Sequence, residues 1–279
     1  MNAVIDALWV YPIKGCRGIS VPSAIVASTG LEIDGIGDRE WVVVDEDGRF
    51  LSQRELPKMV QISTRLTGES LRIRAPSMLL LDVPFETEGA VMPVRVWNDE
   101  LDAVTQGPIA DAWFSEFLGL RCRLMRFDPE AHRHSNRQYT GDVAAPYKFA
   151  DAFALLICST ASLADLNARL VANGQAAVTI ERFRPNLVLD GIEAFEEDYI
   201  DHLTVGGARL KGVKQCVRCT VPNVDLSSGE AGVEPGFTLA AYRTRAEVGG
   251  TIFGINAIVE SGVGVQLSTQ NSVEVSLRF

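Results

Sequence analysis

The segment VKQCVRC places Cys216 and Cys219 on either side of Arg218, and thiols at this spacing can ligate a metal or act as a redox dithiol. A structural zinc site needs four ligands, commonly two such pairs, but the sequence has no second pair and its three histidines show no matching spacing. A thioredoxin-type dithiol stands at the start of a helix, whereas Pro222 and a turn-forming segment follow this pair. Neither a zinc site nor a dithiol is therefore predicted.

Two interpretations of the cysteine pair remain open. In the first, one thiolate ligates a soft cofactor metal, and Arg218 favours the ionised sulfur or binds an anionic part of the same cofactor. In the second, both cysteines are buried small hydrophobic residues of a strand, which is the commonest fate of a free cysteine. The two interpretations can be distinguished by the structural elements around the pair and by the other motifs of the sequence.

The composition of the chain indicates the cellular compartment and the partners of the protein. The chain has 279 residues and a formal net charge of −10, which argues against nonspecific binding to nucleic acid or to an anionic membrane. Its 5 cysteines are irregularly spaced, unlike those of a disulfide framework. Asp6 interrupts the N-terminal apolar run that a secretory signal would need. No apolar run approaches the ~20 residues that span a bilayer. We therefore expect a cytoplasmic protein with reduced thiols and with no nucleic-acid or membrane partner.

The first hundred residues alternate short β-branched or aromatic runs with turn signals, which favours a β-barrel or sandwich over βαβ units. The run VVVDEDGRFL predicts a hairpin whose turn lies at Asp47 and Gly48. A helix is predicted over PIADAWFSEFLGL, with four apolar residues on one face, namely Ile109, Trp113, Phe117 and Leu118.

The second half of the chain begins with a polar stretch, residues 128–150, which is broken by glycine and proline and predicts a long loop that could cover a site. The run ALLIC predicts a buried strand. STASLADLNARLVANG predicts a helix with Ser159 or Thr160 as N-cap and Gly174 after its end. Strands follow to the end, so the fold class is mostly β and barrel-like with a few helices, and a domain boundary is expected near residue 125.

Five segments occur in an order that is typical of one known family: YPIKGCRG, DREWVVVDEDGRFLSQRELPKMVQI, SLADLNARL, FRPNLVL and VKQCVRC. Together they extend over nearly the whole chain. They resemble the MOSC proteins, and within them the two-part group of the mitochondrial amidoxime-reducing component and its bacterial relatives. The resemblance implies a MOSC N-terminal β-barrel domain over residues 1–125 and a MOSC domain over residues 126–279.

In that family the second cysteine of the pair ligates the molybdenum of a pyranopterin cofactor, and basic residues of the earlier motifs bind its phosphate and pterin. The resemblance therefore implies the molybdenum cofactor (Mo-molybdopterin), without pyridoxal phosphate, with Cys219 as metal ligand and catalytic residue. Asp151 is a second catalytic candidate in a supporting role. The residues implied around the organic part are Lys14, Arg39, Arg184, Asn186 and Arg218. A globally acidic protein needs such a gathering of cations to bind a multiply anionic ligand.

Each implied basic residue also has a simpler interpretation. Arg39 and Arg218 lie in strand-like runs, where arginine commonly faces solvent. Arg184 precedes Pro185, which favours an extended backbone and aims the side chain away from a helix.

The other polar candidates have simpler interpretations as well. Asn186 could satisfy a buried turn, and Asp151 could cap a strand end instead of ordering a water near a metal. His132 and His134 lie in the polar loop and are expected to be exposed rather than to act as ligands. Cys16 is expected to be a core residue.

Two positions depart from the pattern of the family. Val217 stands where its best-known members have a serine, and Ala152 and Phe153 stand where they have small hydroxyl residues. These residues are expected to remove hydrogen bonds to the cofactor and to narrow the site.

The resemblance implies an enzyme that reduces small N-hydroxylated compounds, such as amidoximes, hydroxylamines and N-hydroxylated bases. Some bacterial relatives carry a C-terminal iron-sulfur domain bound by four cysteines, which this sequence lacks, so a separate electron-transfer protein or reductase is the expected partner. Two alternatives stay open. One is a carrier of the cofactor, or of a persulfide on Cys219, without reductase activity of its own, and the other is a family member that binds nothing.

Overall fold

The structure is a computed structural model that describes residues 2–86 and 88–278. The described part is mostly β with a few helices, as predicted. In chain order the strands are β1 (Asn2–Val10), β2 (Ile19–Val21), β3 (Ser23–Ala27), β4 (Gly30–Ile33), β5 (Ile36–Gly37), β6 (Trp41–Asp45), β7 (Ser63–Leu66), β8 (Ser70–Arg74), β9 (Leu81–Pro84), β10 (Val91–Val96), β11 (Asp99–Thr105), β12 (Cys122–Phe127), β13 (Leu155–Ser159), β14 (Leu187–Asp190), β15 (Ile200–Val205), β16 (Ala208–Val217), β17 (Thr244–Arg245), β18 (Gly250–Ser261), β19 (Gln266–Ser268) and β20 (Ser272–Leu277). The α-helices are α1 (Pro108–Leu118), α2 (Arg137–Thr140), α3 (Thr160–Ala172) and α4 (Gly236–Arg243), and short 3₁₀ helices cover Pro57–Gln61, Ile180–Phe183, Glu196–Tyr199, Val221–Asn223 and Ala246–Val248.

Seven strands close into a barrel in the order β13, β14, β1, β20, β15, β16 and β18, and the pairing of β18 with β13 completes the ring. Successive side chains of a strand point to opposite faces, so alternate apolar residues can fill the interior of the barrel. In β1 these are Ile5 and Leu8, and facing strands contribute Ile157 and Leu210, all with 0% exposure. The barrel is thus a packed core on which a site can be held rigidly.

The barrel takes one strand from the start of the chain. β1 lies between β14 and β20, where Leu8 pairs with Leu187 and Ala3 pairs with Val273. The division of the chain near residue 125 stays a prediction, but β1 belongs by its pairing to the sheet of the C-terminal strands.

Three smaller sheets contain most of the remaining N-terminal strands: β10-β11-β12-β6, β19-β3-β4-β5 and β7-β8-β9. α1 lies next to β12, and Trp41, Phe114 and Leu124 are fully buried in the core that they share. In the turn after β6, Gly48 adopts φ +76° and Phe50 pairs back onto Val44, as the predicted hairpin requires.

Both predicted helices are present, but the apolar face of α1 is not the one expected. Trp113 and Leu118 are buried, whereas Ile109 is 76% exposed. The buried residues of α1 also include Ala110 and Phe114, so its buried face is centred about 100° around the helix from Ile109 at 3.6 residues per turn. Ile109 therefore lies at the edge of this face rather than in it.

α3 begins and ends where its capping residues predict. The Ser159 side chain accepts a hydrogen bond from the backbone N–H of Ser162, and Gly174 adopts φ +72° just after the helix. Leu166 and Leu170 are fully buried and Leu163 packs beside them. Because Ser159 is also the last residue of β13, the cap joins this helix directly to the barrel.

A buried polar network lies beneath the start of α3. The carboxylate of Glu197 accepts hydrogen bonds from the hydroxyls of Ser162 at 2.7 Å and Ser159 at 3.0 Å. The neighbouring Asp198 forms an ion pair with Arg243, and the side chains of this pair are only 3% and 5% exposed. Burial raises the pKa of Glu197 to about 7, and Asp198 adds to the rise, although the hydroxyl hydrogen bonds oppose it.

Glu197 should make the stability of the fold fall as pH rises from about 4.5 to about 7. In this range the Glu197 carboxyl is already deprotonated in the unfolded chain but still protonated in the folded chain. The free energy of unfolding should therefore fall by at most ~3 kcal/mol. We expect the variant Glu197→Gln to remove this slope, as measured by urea unfolding at pH 4.5, 6 and 8 and compared with the wild-type protein. Parallel pH profiles for the two proteins would show that Glu197 does not titrate in this range.

Candidate functional site

A cavity of about 290 Å³ is lined both by N-terminal segments and by residues of β13, β16 and β18. Every residue that the sequence motifs implied for a site contributes to its wall, although the residues come from five separate parts of the chain. They are Lys14, Arg39, Asp151, Arg184, Asn186, Arg218 and Cys219. The structure thus brings all seven together, while the role of each stays a prediction.

Arg39 and Arg184 meet across the ring of the fully buried Tyr11. Their guanidinium carbons lie 4.5 Å and 4.3 Å from its centroid, and Nη2 of Arg39 donates to the carbonyl oxygen of Arg184 at 3.3 Å. Both residues have left-handed backbones, with φ +49° and +59°. The expectations of a solvent-facing strand position for Arg39 and of an extended backbone for Arg184 were therefore wrong. Each residue lies in a turn that directs its side chain inward over Tyr11.

The charge on Arg39 is partly balanced inside the protein. Asp38 forms an ion pair with Arg39, and its Oδ1 also accepts the backbone N–H of Tyr11 at 2.8 Å. Arg184 has no such carboxylate partner among the described residues. Burial lowers the pKa of Arg184, and the positive charge of Arg39 acts in the same direction.

Asn186 ties three strands of the barrel together instead of closing a turn. Its Nδ2 donates to the carbonyl oxygen of Trp9 at 3.2 Å, and its Oδ1 accepts the backbone N–H of Leu156 at 3.1 Å. The same Oδ1 lies 3.3 Å from Nη1 of Arg39. Asn186 therefore fixes the position of Arg39, with one N–H left that could reach a ligand.

Lys14 and Asp151 form an ion pair at the cavity, with 2.5 Å between Nζ and Oδ1. Nζ of Lys14 also donates to the carbonyl oxygen of Phe149 at 2.8 Å, and Nε1 of Trp97 donates to the same Oδ1 of Asp151 at 2.9 Å. Burial lowers the pKa of Lys14, while Asp151 acts against this shift. Enclosure opposes ionisation of Asp151, but Lys14, Trp97 and Arg39 hold its pKa well below its usual range. Asp151 is therefore an ionised partner of Lys14 and does not cap a strand end.

The end of the predicted loop is fixed by Arg133, whose side chain is 3% exposed. Its Nη1 donates to the carbonyl oxygens of Lys148 and Ala150 at 2.6 Å and 3.0 Å, and its Nη2 pairs with Asp99 at 2.7 Å. These bonds hold the backbone directly before Asp151. The loop thus contributes to the cavity wall through its last residues, while His132 and His134 are exposed as predicted.

The two cysteines of the pair differ in their surroundings. Cys216 lies near the end of β16, is half-buried and accepts a hydrogen bond from Nη1 of Arg218 at 3.1 Å. Nη2 of Arg218 donates to the carbonyl oxygen of Phe183 at 2.8 Å, so the guanidinium is half-buried, contrary to its expected exposure to solvent. Cys219 lies beyond the strand, is exposed at the cavity, and its thiol forms no hydrogen bond with any described residue. Of the two thiols, Cys219 is therefore the one free to bind a ligand.

The interpretation of both cysteines as buried strand residues does not hold, because Cys219 is exposed and Cys216 is only half-buried. Cys16, in contrast, is a fully buried core residue as predicted. Within residues 2–86 and 88–278, no group of three or more His, Cys, Asp or Glu residues could hold a metal ion. A metal at this cavity would accordingly need most of its ligands from a cofactor or solvent.

Six cationic side chains and one carboxylate line the cavity of this acidic protein. Four of the cations have no carboxylate partner in the described part of the chain. They are Arg54, Arg184, Lys214 and Arg218. Unpaired cations around one cavity give it a positive potential that attracts anionic ligands against the mean field of the protein.

The two departures from the family pattern affect the cavity differently. Val217 is 38% exposed and lines the cavity without offering a hydrogen bond from its side chain. Phe153 is only 8% exposed, because its ring packs against Tyr139 at 5.8 Å and against Val213 and Ile258. Most of the Phe153 ring therefore lies in a small core beside the cavity, so it narrows the space less than expected.

The sequence analysis considered cysteines and the family's basic residues and missed several cavity residues. Four of them with polar or aromatic side chains are Gln53, Arg54, Trp97 and Lys214. Three of them lie inside motifs that had been recognised, in SQRELPKM and VKQC, so a closer look at these motifs could have found them. Trp97 lies outside every recognised motif and carried no signal.

The donors at the cavity fit a multiply anionic metallopterin. Nη2 of Arg184 and Nε of Arg218 are buried but have no hydrogen-bond partner in the described structure. Leaving such a donor unpaired costs about 1–3 kcal/mol, and an anionic ligand would supply the missing acceptors. The thiol of Cys219 adds the soft ligand that a metal such as molybdenum accepts.

None of the described helices is both long enough and apolar enough to cross a membrane.

Comparison with known proteins identifies the family. Residues 2–121 match the MOSC N-terminal beta barrel domain, and residues 144–273 match the MOSC domain. The chain is 34% identical over 245 residues to mitochondrial amidoxime reducing component 2 of Bos taurus, with 86% of this chain and 72% of the relative covered. It is 35% identical over 246 residues to mitochondrial amidoxime-reducing component 1 of Homo sapiens, with the same two shares covered. It is 32% identical over 287 residues to molybdenum cofactor sulfurase of Solanum lycopersicum, with 95% of this chain but 34% of that protein covered. The chain therefore belongs to the MOSC family and combines a MOSC N-terminal beta barrel domain with a MOSC domain.

Proposed function

We propose that the protein is a molybdenum-cofactor-dependent oxidoreductase that reduces small N-hydroxylated compounds, such as amidoximes, hydroxylamines and N-hydroxylated bases. The observation that carries the proposal is the exposed thiol of Cys219 in a cavity where four cations lack a carboxylate partner among the described residues. A strongly anionic ligand with a soft metal is the class of group that satisfies both features. The names of the mammalian relatives support amidoxime reduction as the activity.

Different residues at the cavity would bind different parts of such a cofactor. Cys219 would ligate the metal, and Arg184 and Arg218 have buried N–H groups left for anionic oxygens of the organic part. Arg39 and Asn186 hold each other in place beside them. When bound, the cofactor supplies the exchange of two electrons and of the oxygen atom, which the side chains of the protein cannot provide.

Reduction of an N–OH group to N–H consumes two electrons and two protons and releases water, so the site needs a source of protons. Lys14 is placed for this role, because its Nζ lies at the cavity wall and is hydrogen-bonded to Asp151 at 2.5 Å. Its lowered pKa makes the ammonium a better proton donor than a lysine in water. The ionised Asp151 keeps Nζ charged and oriented between proton transfers.

Each reduction of substrate consumes two electrons, which must come from another molecule. We propose a separate electron-transfer protein or reductase as the partner, acting with a cytoplasmic enzyme. A cavity of about 290 Å³ lies at the lower end of the usual range for one small ligand, so it fits a small-molecule substrate rather than a polymer.

A second candidate function is a carrier of the cofactor or of a persulfide on Cys219, without reduction of a substrate. The specific observation in its favour is the exposure of this thiol, together with the 32% identity to a molybdenum cofactor sulfurase. A cysteine that carries a persulfide needs an accessible sulfur, and Cys219 meets this condition.

One purification separates the two functions. The protein is purified from a host that makes the cofactor, and molybdenum, pterin fluorescence, persulfide and benzamidoxime reduction with an artificial electron donor are measured on the same sample. Near-stoichiometric molybdenum with benzamidoxime reduction would support the reductase. A persulfide without molybdenum would support the carrier, and a protein with neither group would overturn both proposals.

A further inference from the structure

Trp97 is held at the cavity by a backbone conformation that a tryptophan rarely adopts. It lies in the two-residue turn between β10 and β11, where Val96 pairs with Asp99, and its φ is +59°. Positive φ is an outlier for a bulky residue and is energetically unfavourable, whereas glycine adopts it freely. A turn built for stability alone would place glycine here, so the indole ring itself has a use.

The indole ring is fixed from three directions. Its Nε1 donates to Oδ1 of Asp151 at 2.9 Å, and its ring packs edge-on against Phe50 with 4.7 Å between centroids. The guanidinium carbon of Arg54 lies 4.2 Å from the ring centroid. In spite of these contacts 39% of Trp97 is exposed, so part of the ring stays open at the cavity.

Arg54 brings a positive charge to this ring that no carboxylate of the described residues neutralises. Its side chain is exposed, and its contact with Trp97 leaves the N–H groups of the guanidinium available, since none of them donates to a described residue. Arg54 and Trp97 line the same cavity as Cys219. Both residues lie in turns of the N-terminal half of the chain, however, whereas Cys219 follows β16 of the barrel.

Asp151 leaves one acceptor free beside the same ring. Lys14 and Trp97 both donate to its Oδ1, and no described residue donates to Oδ2. An ionised carboxylate oxygen of this kind accepts a hydrogen bond from an amino group, such as the NH₂ that neighbours the N–OH of an amidoxime.

We propose that Trp97 and Arg54 form a selectivity subsite for flat aromatic N-hydroxylated substrates that carry an anionic substituent. The indole ring packs on the aromatic ring of the substrate, Arg54 pairs with the anionic substituent, and Oδ2 of Asp151 accepts the amino group next to the N–OH. This inference rests on the proposed reductase function and adds the class of substrate to it.

The test uses two substrates that differ by one charge, benzamidoxime and 4-carboxybenzamidoxime, with cofactor-loaded protein and an artificial electron donor. We expect kcat/KM to be about tenfold higher for the carboxylate, mainly through a lower KM, because one charge-assisted hydrogen bond is worth about this factor. The variant Arg54→Gln should reduce the ratio of the two kcat/KM values to about one. The matched control Arg65→Gln changes an exposed arginine outside the cavity and should keep the ratio of the wild-type protein.

Two variants of Trp97 separate the ring from its hydrogen bond. Trp97→Gly suits the positive φ, which offsets part of the packing that is lost with the indole ring, so this variant should still fold. The KM of both substrates should rise about fivefold to tenfold with the loss of the ring contact. Trp97→Phe keeps a ring but loses Nε1, so its KM values should lie between those of the wild type and those of Trp97→Gly. An unchanged KM in Trp97→Gly would show that the ring does not contact substrate.

A binding measurement without turnover distinguishes failure of the subsite from failure of the proposed function. Calorimetric titration of 4-carboxybenzamidoxime into wild-type protein and Arg54→Gln, with no electron donor, should show about tenfold weaker binding to the variant. If this difference appears but no substrate is reduced, the subsite stands and the reductase function is wrong. If both substrates are reduced and bound equally well by both proteins, the reductase stands and the subsite is wrong.

Discussion

Replacing Cys219 with alanine should abolish molybdenum retention and lower amidoxime reduction by more than about 100-fold. The thiol is exposed at the cavity and is the one soft ligand there without a hydrogen bond to the described protein. Loss of even an outer partner of a metal ligand typically costs 10–100-fold, so loss of the ligand itself should cost more. Metal analysis of the purified variant and its rate with benzamidoxime provide the measurement.

Cys216→Ala is the matched control for this experiment. Its thiol accepts a hydrogen bond from Nη1 of Arg218 at 3.1 Å, so its removal should disturb the position of Arg218 and reduce activity by no more than about tenfold. Because both variants exchange cysteine for alanine within one short segment, any general damage to the fold would affect them similarly. Equal loss of molybdenum from both would contradict a single cysteine ligand and indicate a metal shared by the pair.

Replacing Arg243 with methionine should lower the free energy of unfolding by about 3–5 kcal/mol. Arg243 is the cation that pairs with Asp198, the two side chains are 5% and 3% exposed, and Glu197 lies next to this pair with 0% exposure. Without the guanidinium, the Asp198 carboxylate would be buried without a partner, which is the costly way to break such a pair. Urea unfolding at pH 7 gives the measurement.

Two further variants show whether this loss comes from the buried charge. Arg169→Ala removes an arginine whose ion pair with Asp165 lies on the exposed side of α3, and we expect it to cost about 0.5 kcal/mol or less. Adding Asp198→Asn to Arg243→Met removes the unpaired charge and should restore part of the lost stability. A double variant as unstable as Arg243→Met would point to lost packing of Arg243 on Phe195 instead.

Much of the fold could be predicted because its signals are local. The N-cap at Ser159, the glycine after α3 and the turn at Gly48 each depend on a few neighbouring residues, and each is found where the sequence places it. The exposed Ile109 shows the limit of this approach. Helical spacing tells which residues share a face, but only the packing of α1 on the sheet decides which face is buried.

The members of the candidate site could be collected from motifs, but their geometry could not. Arg39 and Arg184 appeared to be strand or extended residues, whereas both have positive φ and meet over Tyr11. Such backbones are imposed by long-range contacts that no neighbouring residue reveals. Trp97 was missed for the same reason, because its partner Asp151 is 54 residues away along the chain.

The position of β1 has a consequence for how the molecule is made. Among the described strands, β1 is the first to be synthesised and is inserted between β14 and β20, and β20 is the last. The barrel ring cannot be completed during translation until that last strand emerges, and contacts so distant along the chain form slowly. Until then the edges of β1 and β15 that pair with β20 stay open, so the barrel beside the cavity is not yet closed. If the proposed cofactor binds at this cavity, its insertion should follow the pairing of β20 rather than precede it.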